Sequence, residues 1–259
     1  MSYSIFLYGY EGEPHFDIEE IADYLKKTFL LAEIKKRENF FSFLRKFPSF
    51  NLDSLAIKIS LCRVYCLHEK KESLPLLGEI EYEKKRILGK KTYGVIYDGE
   101  KLNNIYLNLL PQKERGLNCC HIIFVDQLLA TFDEENRRFH LRVGIYGFPN
   151  LISVWGLKEA LAKPRNYYLK LQMGIDSLSL EEEFKEKIID IKDKKLVTEA
   201  LKNYCLQAIF YQFYYEGFCS QSNCRLYNAH WQQELILQIK NKCELCSKHK
   251  AMIKHAGKV

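Results

Sequence analysis

The chain has 259 residues, of which 47% are hydrophobic and 28% are charged, so its composition is that of a globular protein and excludes general disorder. The formal net charge of +6 comes from lysines and arginines scattered among acidic residues, which does not favour a nucleic-acid-binding surface. No apolar run approaches the length that crosses a bilayer, and the N-terminus lacks the pattern of a secretory signal. We therefore predict a cytoplasmic protein, whose nine cysteines are not expected to form disulfides.

Hydrophobic periodicity predicts a layered α/β or α+β protein with a strand-rich middle and helix-rich ends. In chain order, the first half contains a strand at 5–10, a helix at 18–29, a strand at 30–36, a helix at 52–67, a strand at 94–98, a helix at 101–110 and a strand at 121–125. The second half contains strands at 139–146 and 151–155 and helices at 196–215 and 229–240. The helix at 196–215 is apolar on nearly all faces, which predicts a central position in the fold.

A charge-rich stretch at residues 68–91 precedes the strand-rich middle. This composition is typical of an exposed, flexible connection, and we place a domain boundary within it. The prediction is an N-terminal α/β subdomain over 1–80 and a second domain over 81–259 that contains a zinc knuckle at 218–250. One continuous domain is the alternative.

Four of the cysteines have the spacing of metal ligands. Cys219 and Cys224 are separated by four residues, and Cys243 and Cys246 form a Cys-x-x-Cys pair after a further eighteen residues. Structural zinc sites use four tetrahedral ligands, and two close pairs can supply four thiolates through two tight turns. The pattern therefore predicts one structural Zn²⁺ per chain, bound by these four cysteines.

Other residues near this motif are interpreted more simply. His230 and His249 are close enough in sequence to compete as ligands, but histidines in this position are more often surface or supporting groups. The remaining cysteines lie in apolar surroundings, which predicts buried, unreactive thiols: Cys62, Cys66, Cys119, Cys120 and Cys205.

The cysteine spacing resembles the end of the archaemetzincins, a family of zinc metallopeptidases. In that family a His-Glu-x-x-His helix, which binds the catalytic zinc, runs directly into the first of four structural cysteines. The resemblance implies a zincin-like fold with a mixed sheet packed against helices. Leu226 stands where the family has a methionine, and the last spacer is slightly shorter in this chain.

A second resemblance covers about the C-terminal two thirds of the chain. The sequence is similar to an uncharacterised archaeal family described as metallopeptidases. Four segments carry this similarity: residues 120–124, 139–146, 162–168 and 224–232.

The catalytic motif implied by the first resemblance is absent. Counting back from Cys219, the first histidine, the glutamate, the second histidine and the third histidine fall, in that order, at Ala208, Ile209, Gln212 and Phe218. These side chains cannot form a catalytic zinc site, and no histidine lies between His140 and His230 to replace them. We therefore predict a degenerate zincin in which this helix serves as core.

A different constellation suggests an alternative site. His140 and Arg142 lie on one face of an alternating strand, and His121 and Asp126 bracket another strand. If the two strands pair, the four side chains converge at one end of the sheet and are the candidate catalytic residues of a metal-dependent hydrolase. A hydrogen-bonded core histidine and an edge arginine are the simpler interpretation.

Two short segments have weaker signals. Residues 163–168 place two cations and two aromatic side chains beside a proline, which suits a carboxylate or phosphate ligand but equally a basic turn before a helix. Residues 68–72 superficially resemble His-Glu-x-x-His, but they end in glutamate and lie in the charge-rich stretch, which is typical of a solvated surface.

The sequence therefore predicts a zinc-binding relative of archaemetzincin-type metallopeptidases without zincin-type activity, which is a binding or otherwise repurposed protein. The alternatives are the hydrolase described above and a nucleic-acid module built on the zinc knuckle. The module would use phosphate contacts from Lys240, Lys242, Lys248 and Lys250. The sequence identifies no partner; a peptide or an anionic ligand is the class that it suggests, and no membrane partner is expected.

Overall fold

The computed structural model describes residues 3–10, 15–70, 73–90 and 94–256. Contacts divide the chain into two compact units, each made of separate segments. The helical unit comprises residues 15–32 and 157–256, and the sheet unit comprises residues 3–10 and 33–156. The domain boundary predicted near residue 80 lies inside the sheet unit. None of the described helices has the length and apolar character needed to span a membrane.

The elements alternate between strands and helices in the first part of the chain and are helical in the last part. The strands are β1 (Tyr3–Tyr8), β2 (Ala32–Arg37), β3 (Ile96–Asp98), β4 (Cys119–Val125), β5 (Leu128–Asp133), β6 (Arg138–Arg142), β7 (Gly144–Ile145) and β8 (Asn150–Ser153). The first helices are α1 (Ile18–Thr28), α2 (Phe40–Leu44), α3 (Leu52–Ser60), α4 (Leu77–Ile87) and α5 (Gly99–Leu109), followed by a 3₁₀ turn at Gln112–Glu114. The later helices are α6 (Gly156–Glu159), α7 (Arg165–Gln172), α8 (Ser177–Glu183), α9 (Lys194–Tyr214), α10 (Gln232–Lys240) and α11 (Ser247–Ala256).

The strands form two mixed sheets. The larger sheet has the order β2-β1-β4-β8-β7, with β4 parallel to β1 and β8, and β7 antiparallel to β8. The smaller sheet has the order β3-β5-β6, with β3 parallel and β6 antiparallel to β5. Every residue of β4 is buried, as expected for a central strand that is covered on both faces. The predicted mixed α/β fold is thus confirmed.

The strand pairing on which the alternative site depends is not found in the described part of the chain. The segment predicted as a single strand at 139–146 is divided between β6 and β7, which belong to different sheets. The strands that carry His121 and His140, β4 and β6, therefore do not pair with each other. Alternating hydrophobicity identifies a strand and its two faces, whereas the neighbouring strand is chosen by tertiary packing.

The stretch at residues 68–91 was predicted to be a flexible connection or an exposed excursion, and it contains the regular helix α4. Glu83 and Arg86 of α4 are buried, although both are charged. Oε1 of Glu83 lies 2.7 Å from Nη2 of Arg63, and its Oε2 lies 3.0 Å from Nε of Arg86. Mutual neutralisation therefore allows these two charged side chains to be buried. Residues 71, 72 and 91 lie outside the described part of the chain.

Helix α9 forms the centre of the helical unit. Its first turn is capped by Asp193, whose side chain accepts a hydrogen bond from the N–H of Leu196 at 3.0 Å. Every residue from Ala200 to Phe210 is buried, as the apolar pattern predicts. Helices α1 and α10 of the same unit both contact α9.

Helix α1 contacts α9 although it lies far from α9 in the sequence. The backbone N–H of Asp17 donates to Oγ1 of Thr198 at 2.9 Å. The buried ammonium group of Lys202 lies 2.7 Å from Oε1 of Glu20. Two polar contacts therefore fix the first turn of α1 against the first half of α9.

Candidate metal centre

Two of the predicted metal ligands lie in a short loop after α9, which we call the cysteine loop (residues 219–227). The N–H of Cys219 donates to the carbonyl of Leu226 at 2.9 Å, and the N–H of Cys224 donates to the carbonyl of Gln221 at 3.0 Å. These bonds close a tight turn that brings the two thiols towards each other. The N–H of Gln221 also lies 3.4 Å from Sγ of Cys219.

The segment leading into α11 supplies the other half of the cluster. The N–H of Arg225 donates to the carbonyl of Glu244 at 3.2 Å, which holds this segment beside the cysteine loop. Cys246 immediately precedes α11, and His249 lies in its first turn. The N–H of Cys246 lies 3.5 Å from Sγ of Cys224.

Three thiols and one imidazole therefore converge. The ligand atoms of Cys219, Cys224, Cys246 and His249 all lie within 4.8 Å of one another. Nδ1 of His249 is 3.6 Å from Sγ of Cys224 and 3.0 Å from Sγ of Cys246. Bonds of about 2.0–2.3 Å in a tetrahedral zinc site separate the donor atoms by roughly 3.5–3.8 Å, so the residues present fit a zinc ion. Within the described ranges, no second group of this kind is found.

The fourth member of this group differs from the fourth ligand predicted from the sequence. The thiol of Cys243 lies outside the group, whereas His249 is fully buried within it. The carbonyl of Cys243 instead accepts a hydrogen bond from Nε of Arg225 at 2.9 Å. Because Cys246 and His249 are three residues apart at the start of a helix, their side chains face the same side. This Cys-x-x-His spacing is the signal that could have identified His249.

The pKa values of three of these side chains are shifted in different directions by their surroundings. Burial raises the pKa of the Cys224 thiol to about 12. Burial also opposes ionisation of Cys246, but backbone N–H groups at the start of α11 and the neighbouring thiols lower its pKa below the ordinary value. Burial lowers the pKa of His249, which favours the neutral imidazole that binds metals. Metal binding would therefore be coupled to loss of the Cys224 proton.

The second ring nitrogen of His249 faces a carboxylate. Its Nε2 lies 3.5 Å from Oε1 of Glu216, a residue that also pairs with Lys248. The ring of Phe210 packs edge-on against the imidazole, with the ring centroids 5.4 Å apart. An imidazole with one nitrogen towards thiols and the other towards a carboxylate has the arrangement of a metal-bound histidine.

The four α9-region positions implied by the archaemetzincin motif have no such donors. Ala208 and Ile209 are fully buried apolar residues, Gln212 is partly buried, and Phe218 is exposed. Ala208 and Ile209 therefore contribute to the packing of the core.

In the alternative site, His121 is a fully buried residue of β4. Its Nδ1 lies 3.1 Å from the hydroxyl of Tyr8, and its Nε2 lies 2.9 Å from the carbonyl oxygen of Glu114. Burial lowers the pKa of His121 to about 4, so the imidazole is neutral at physiological pH. The other three residues have separate partners: Asp126 with Arg86, His140 with Asp133, and Arg142 with Thr131.

The basic segments also have partners. Nζ of Lys163 lies 4.8 Å from the ring centroid of Tyr167, and the guanidinium of Arg165 lies 5.9 Å from that of Trp231. Of the four lysines considered for phosphate contacts, two pair with carboxylates: Lys240 with Glu186 and Lys248 with Glu216.

A comparison with protein families confirms the resemblance to a family described as metallopeptidases. A model of a probable metallopeptidase family matches residues 1–256, and no curated protein matches the chain. Among solved structures, the chain is similar to the crystal structure of archaemetzincin from Methanopyrus kandleri, with 11% sequence identity and a TM-score of 0.49. That alignment covers 99% of this chain and 96% of the archaemetzincin chain. Because the family match extends over nearly every residue, the chain belongs to the probable metallopeptidase family.

Proposed function

We propose that this member of the family holds one structural zinc ion through Cys219, Cys224, Cys246 and His249. The observation that carries the proposal is the convergence of three thiols and one imidazole nitrogen within 4.8 Å. Thiolate and imidazole ligands select zinc over hard cations such as Mg²⁺ and Ca²⁺. Four protein ligands complete a tetrahedral site and leave no open position, as is typical of structural zinc.

The zinc would stabilise the helical unit by joining the cysteine loop to the start of α11. Few backbone bonds connect these two segments, so a shared ion adds a strong restraint. In isolated zinc modules, metal binding contributes about 10–16 kcal/mol to folding. The ligands must be reduced thiols, so we place the protein in a reducing compartment such as the cytoplasm.

The proposal also states that the chain lacks zincin-type peptidase activity. A zincin needs a metal-bound water and a carboxylate that takes its proton. The archaemetzincin spacing places Ala208, Ile209 and Gln212 where those groups would be, and the first two are fully buried. The chain would then act by binding, and the description of its family would reflect the origin of the fold.

Elemental analysis of the purified full chain tests the metal site. We expect one zinc per chain, lost in Cys224→Ser and in His249→Ala. Cys243→Ser should retain the ion, as should Cys66→Ser, a matched change of an exposed cysteine. Purified chain without zinc would overturn the site. Zinc that persists in His249→Ala but is lost in Cys243→Ser would move the fourth ligand to Cys243.

A peptidase assay tests the proposal that the chain lacks zincin-type peptidase activity. Zinc-loaded protein should not hydrolyse unfolded casein above the rate of a protein-free control. The proposal would be contradicted by casein hydrolysis that a chelator abolishes and that added zinc restores, if this hydrolysis also persists in Cys224→Ser. Such activity would need a metal bound elsewhere.

A further inference from the structure

The sheet unit contains a groove of about 340 Å³ that plays no part in the metal centre. It lies between the α2–α3 connection, one face of α3 and the C-terminal end of α5 with the following turn. Pockets for small molecules typically have volumes of about 300–1,000 Å³. The groove is therefore large enough for a ligand of modest size.

About half of the residues that line the groove are apolar. Its apolar lining comes from three segments: Leu44, Phe47, Phe50, Leu55, Leu109 and Leu110. Phe47 is 38% exposed, so part of this surface is accessible from solvent. A ligand with an aliphatic or aromatic body could bury apolar area here.

Two of the polar residues of the lining, Lys58 and Arg115, carry positive charge. Lys58 extends from the same face of α3 as Ser54, and Arg115 follows the turn after α5. The lining contains no aspartate or glutamate. In the part of the chain that the structure describes, neither Lys58 nor Arg115 forms an ion pair with a carboxylate. The groove therefore has uncompensated positive charge beside an apolar surface.

Arg115 is held in place by the backbone. Its Nε and Nη2 donate to the carbonyl of Leu110 at 3.0 and 2.7 Å, and Nη2 also donates to the carbonyl of Asn108 at 2.9 Å. The charged donors that remain for a ligand are Nη1 of Arg115 and the ammonium group of Lys58. Two such donors suit a carboxylate better than a phosphate, which offers three acceptor oxygens.

We propose that this groove binds an amphipathic carboxylate, in which an apolar body ends in a single carboxylate group. The apolar body lies against the phenylalanine and leucine side chains, and the carboxylate pairs with Lys58 and Arg115. A free organic acid and the C-terminus of a peptide share this chemistry. The proposed site contains no residue of the metal centre, so its test does not depend on whether zinc is bound.

The test is a displacement titration of the full chain with the fluorescent probe 8-anilinonaphthalene-1-sulfonate, which combines an aromatic body with one negative charge. Decanoate and the dipeptide N-acetyl-leucyl-phenylalanine serve as competitors, each compared with its neutral counterpart, decanol or the dipeptide amide. We expect one saturable probe site per chain. At least one carboxylate should displace the probe at about tenfold lower concentration than its neutral counterpart, and the better competitor identifies the source.

Variants assign the binding to the groove. Lys58→Glu should weaken probe binding about tenfold, whereas Lys85→Glu, the same change on an exposed lysine of α4, should leave it unchanged. Ser54→Trp should fill the groove and abolish binding, with circular dichroism confirming the fold. Equal effects of the two lysine variants, equal displacement by charged and neutral competitors, or full binding to folded Ser54→Trp would overturn the proposal. If Ser54→Trp does not fold, the comparison of Lys58→Glu with Lys85→Glu tests the proposal without it.

Discussion

The guanidinium group of Arg225 joins a carboxylate of α9 to the backbone that follows α10. Its Nη2 lies 2.8 Å from Oε2 of Glu199, and its Nε lies 2.9 Å from the carbonyl oxygen of Cys243. Its Nη1 donates to Oδ1 of Asn203 at 3.1 Å. Because Arg225 directly follows Cys224, these bonds also fix the position of one proposed zinc ligand.

Arg225→Met should therefore lower the free energy of unfolding by about 2–4 kcal/mol, since three acceptors lose their donor in a mostly buried setting. Urea denaturation of zinc-loaded protein measures the change. Lys242→Met removes a cation from an exposed position of the same unit and should cost less than about 0.5 kcal/mol. Equal losses in the two variants would show that the bonds of Arg225 contribute little.

Glu216→Gln should weaken zinc binding by roughly 10–100-fold while the protein remains folded. The carboxylate faces Nε2 of His249 and would hold the ring with Nδ1 directed at the metal. The glutamine side chain fills the same space as that of Glu216 but has no negative charge. Competition with a chromophoric chelator gives the affinity. Glu182→Gln, which changes an exposed carboxylate on α8, is the matched control. Unchanged affinity in Glu216→Gln would exclude this positioning role.

His121 should make the stability of the protein depend on pH. Its pKa is about 4 in the folded chain, because the ring is buried, against an ordinary value of 6.5. As the pH falls from 6.5 to about 4, the unfolded chain takes up a proton that the folded chain does not, so stability falls. The total loss is about 3 kcal/mol, and it is absent above pH 6.5 and complete below about pH 4.

The variant His121→Phe tests this dependence. It keeps an aromatic ring against Phe6, whose ring stacks on that of His121 with the centroids 4.6 Å apart. The variant should be less stable than the native chain at pH 7, since two hydrogen bonds are lost. The difference between the two proteins in urea denaturation should shrink by about 3 kcal/mol at pH 4. Zinc release at low pH affects both proteins alike. A constant difference would contradict the low pKa of His121.

Tyr215→Gly should stabilise the protein by about 0.5–1 kcal/mol. Helix α9 ends at Tyr215, which has a φ of 56°, in the left-handed region that glycine adopts without steric cost. The side chain is 89% exposed, so little packing is lost. Thermal denaturation measures the change. Tyr215→Ala removes the same side chain without relieving the backbone and should not stabilise; an equal gain in both variants would contradict the explanation.

Features that depend on local pattern were predictable. The helix predicted at 196–215 is found at Lys194–Tyr214, because its apolar residues exclude any exposed arrangement. The close spacing of Cys219 and Cys224 required only a turn to bring the thiols together. The fourth member of the cluster, His249, was harder to predict, because its position depends on where α11 begins. In the sequence, a Cys-x-x-Cys pair is also a stronger signal of metal binding than one histidine.

Features that depend on distant partners were not predictable. The charges of α4 read as solvent-exposed, but Arg63 and Asp126 from elsewhere in the sheet unit complete a buried ion-pair network. Likewise, the alternation around His140 indicates a strand without showing that β5 is its neighbour. In both cases the decisive residue lies many positions away, and a single sequence carries no record of the contact.

The contact between Asp17 and Thr198 has a consequence for biosynthesis, because 181 residues separate its two members. A ribosome that adds about 5–20 residues per second needs roughly 10–40 s to make the intervening chain. During that interval the apolar face of α1, with Ile21 and Leu25, emerges before the helix that will cover it. Nascent chains that stall before α9 is made would therefore display this face to chaperones and proteases.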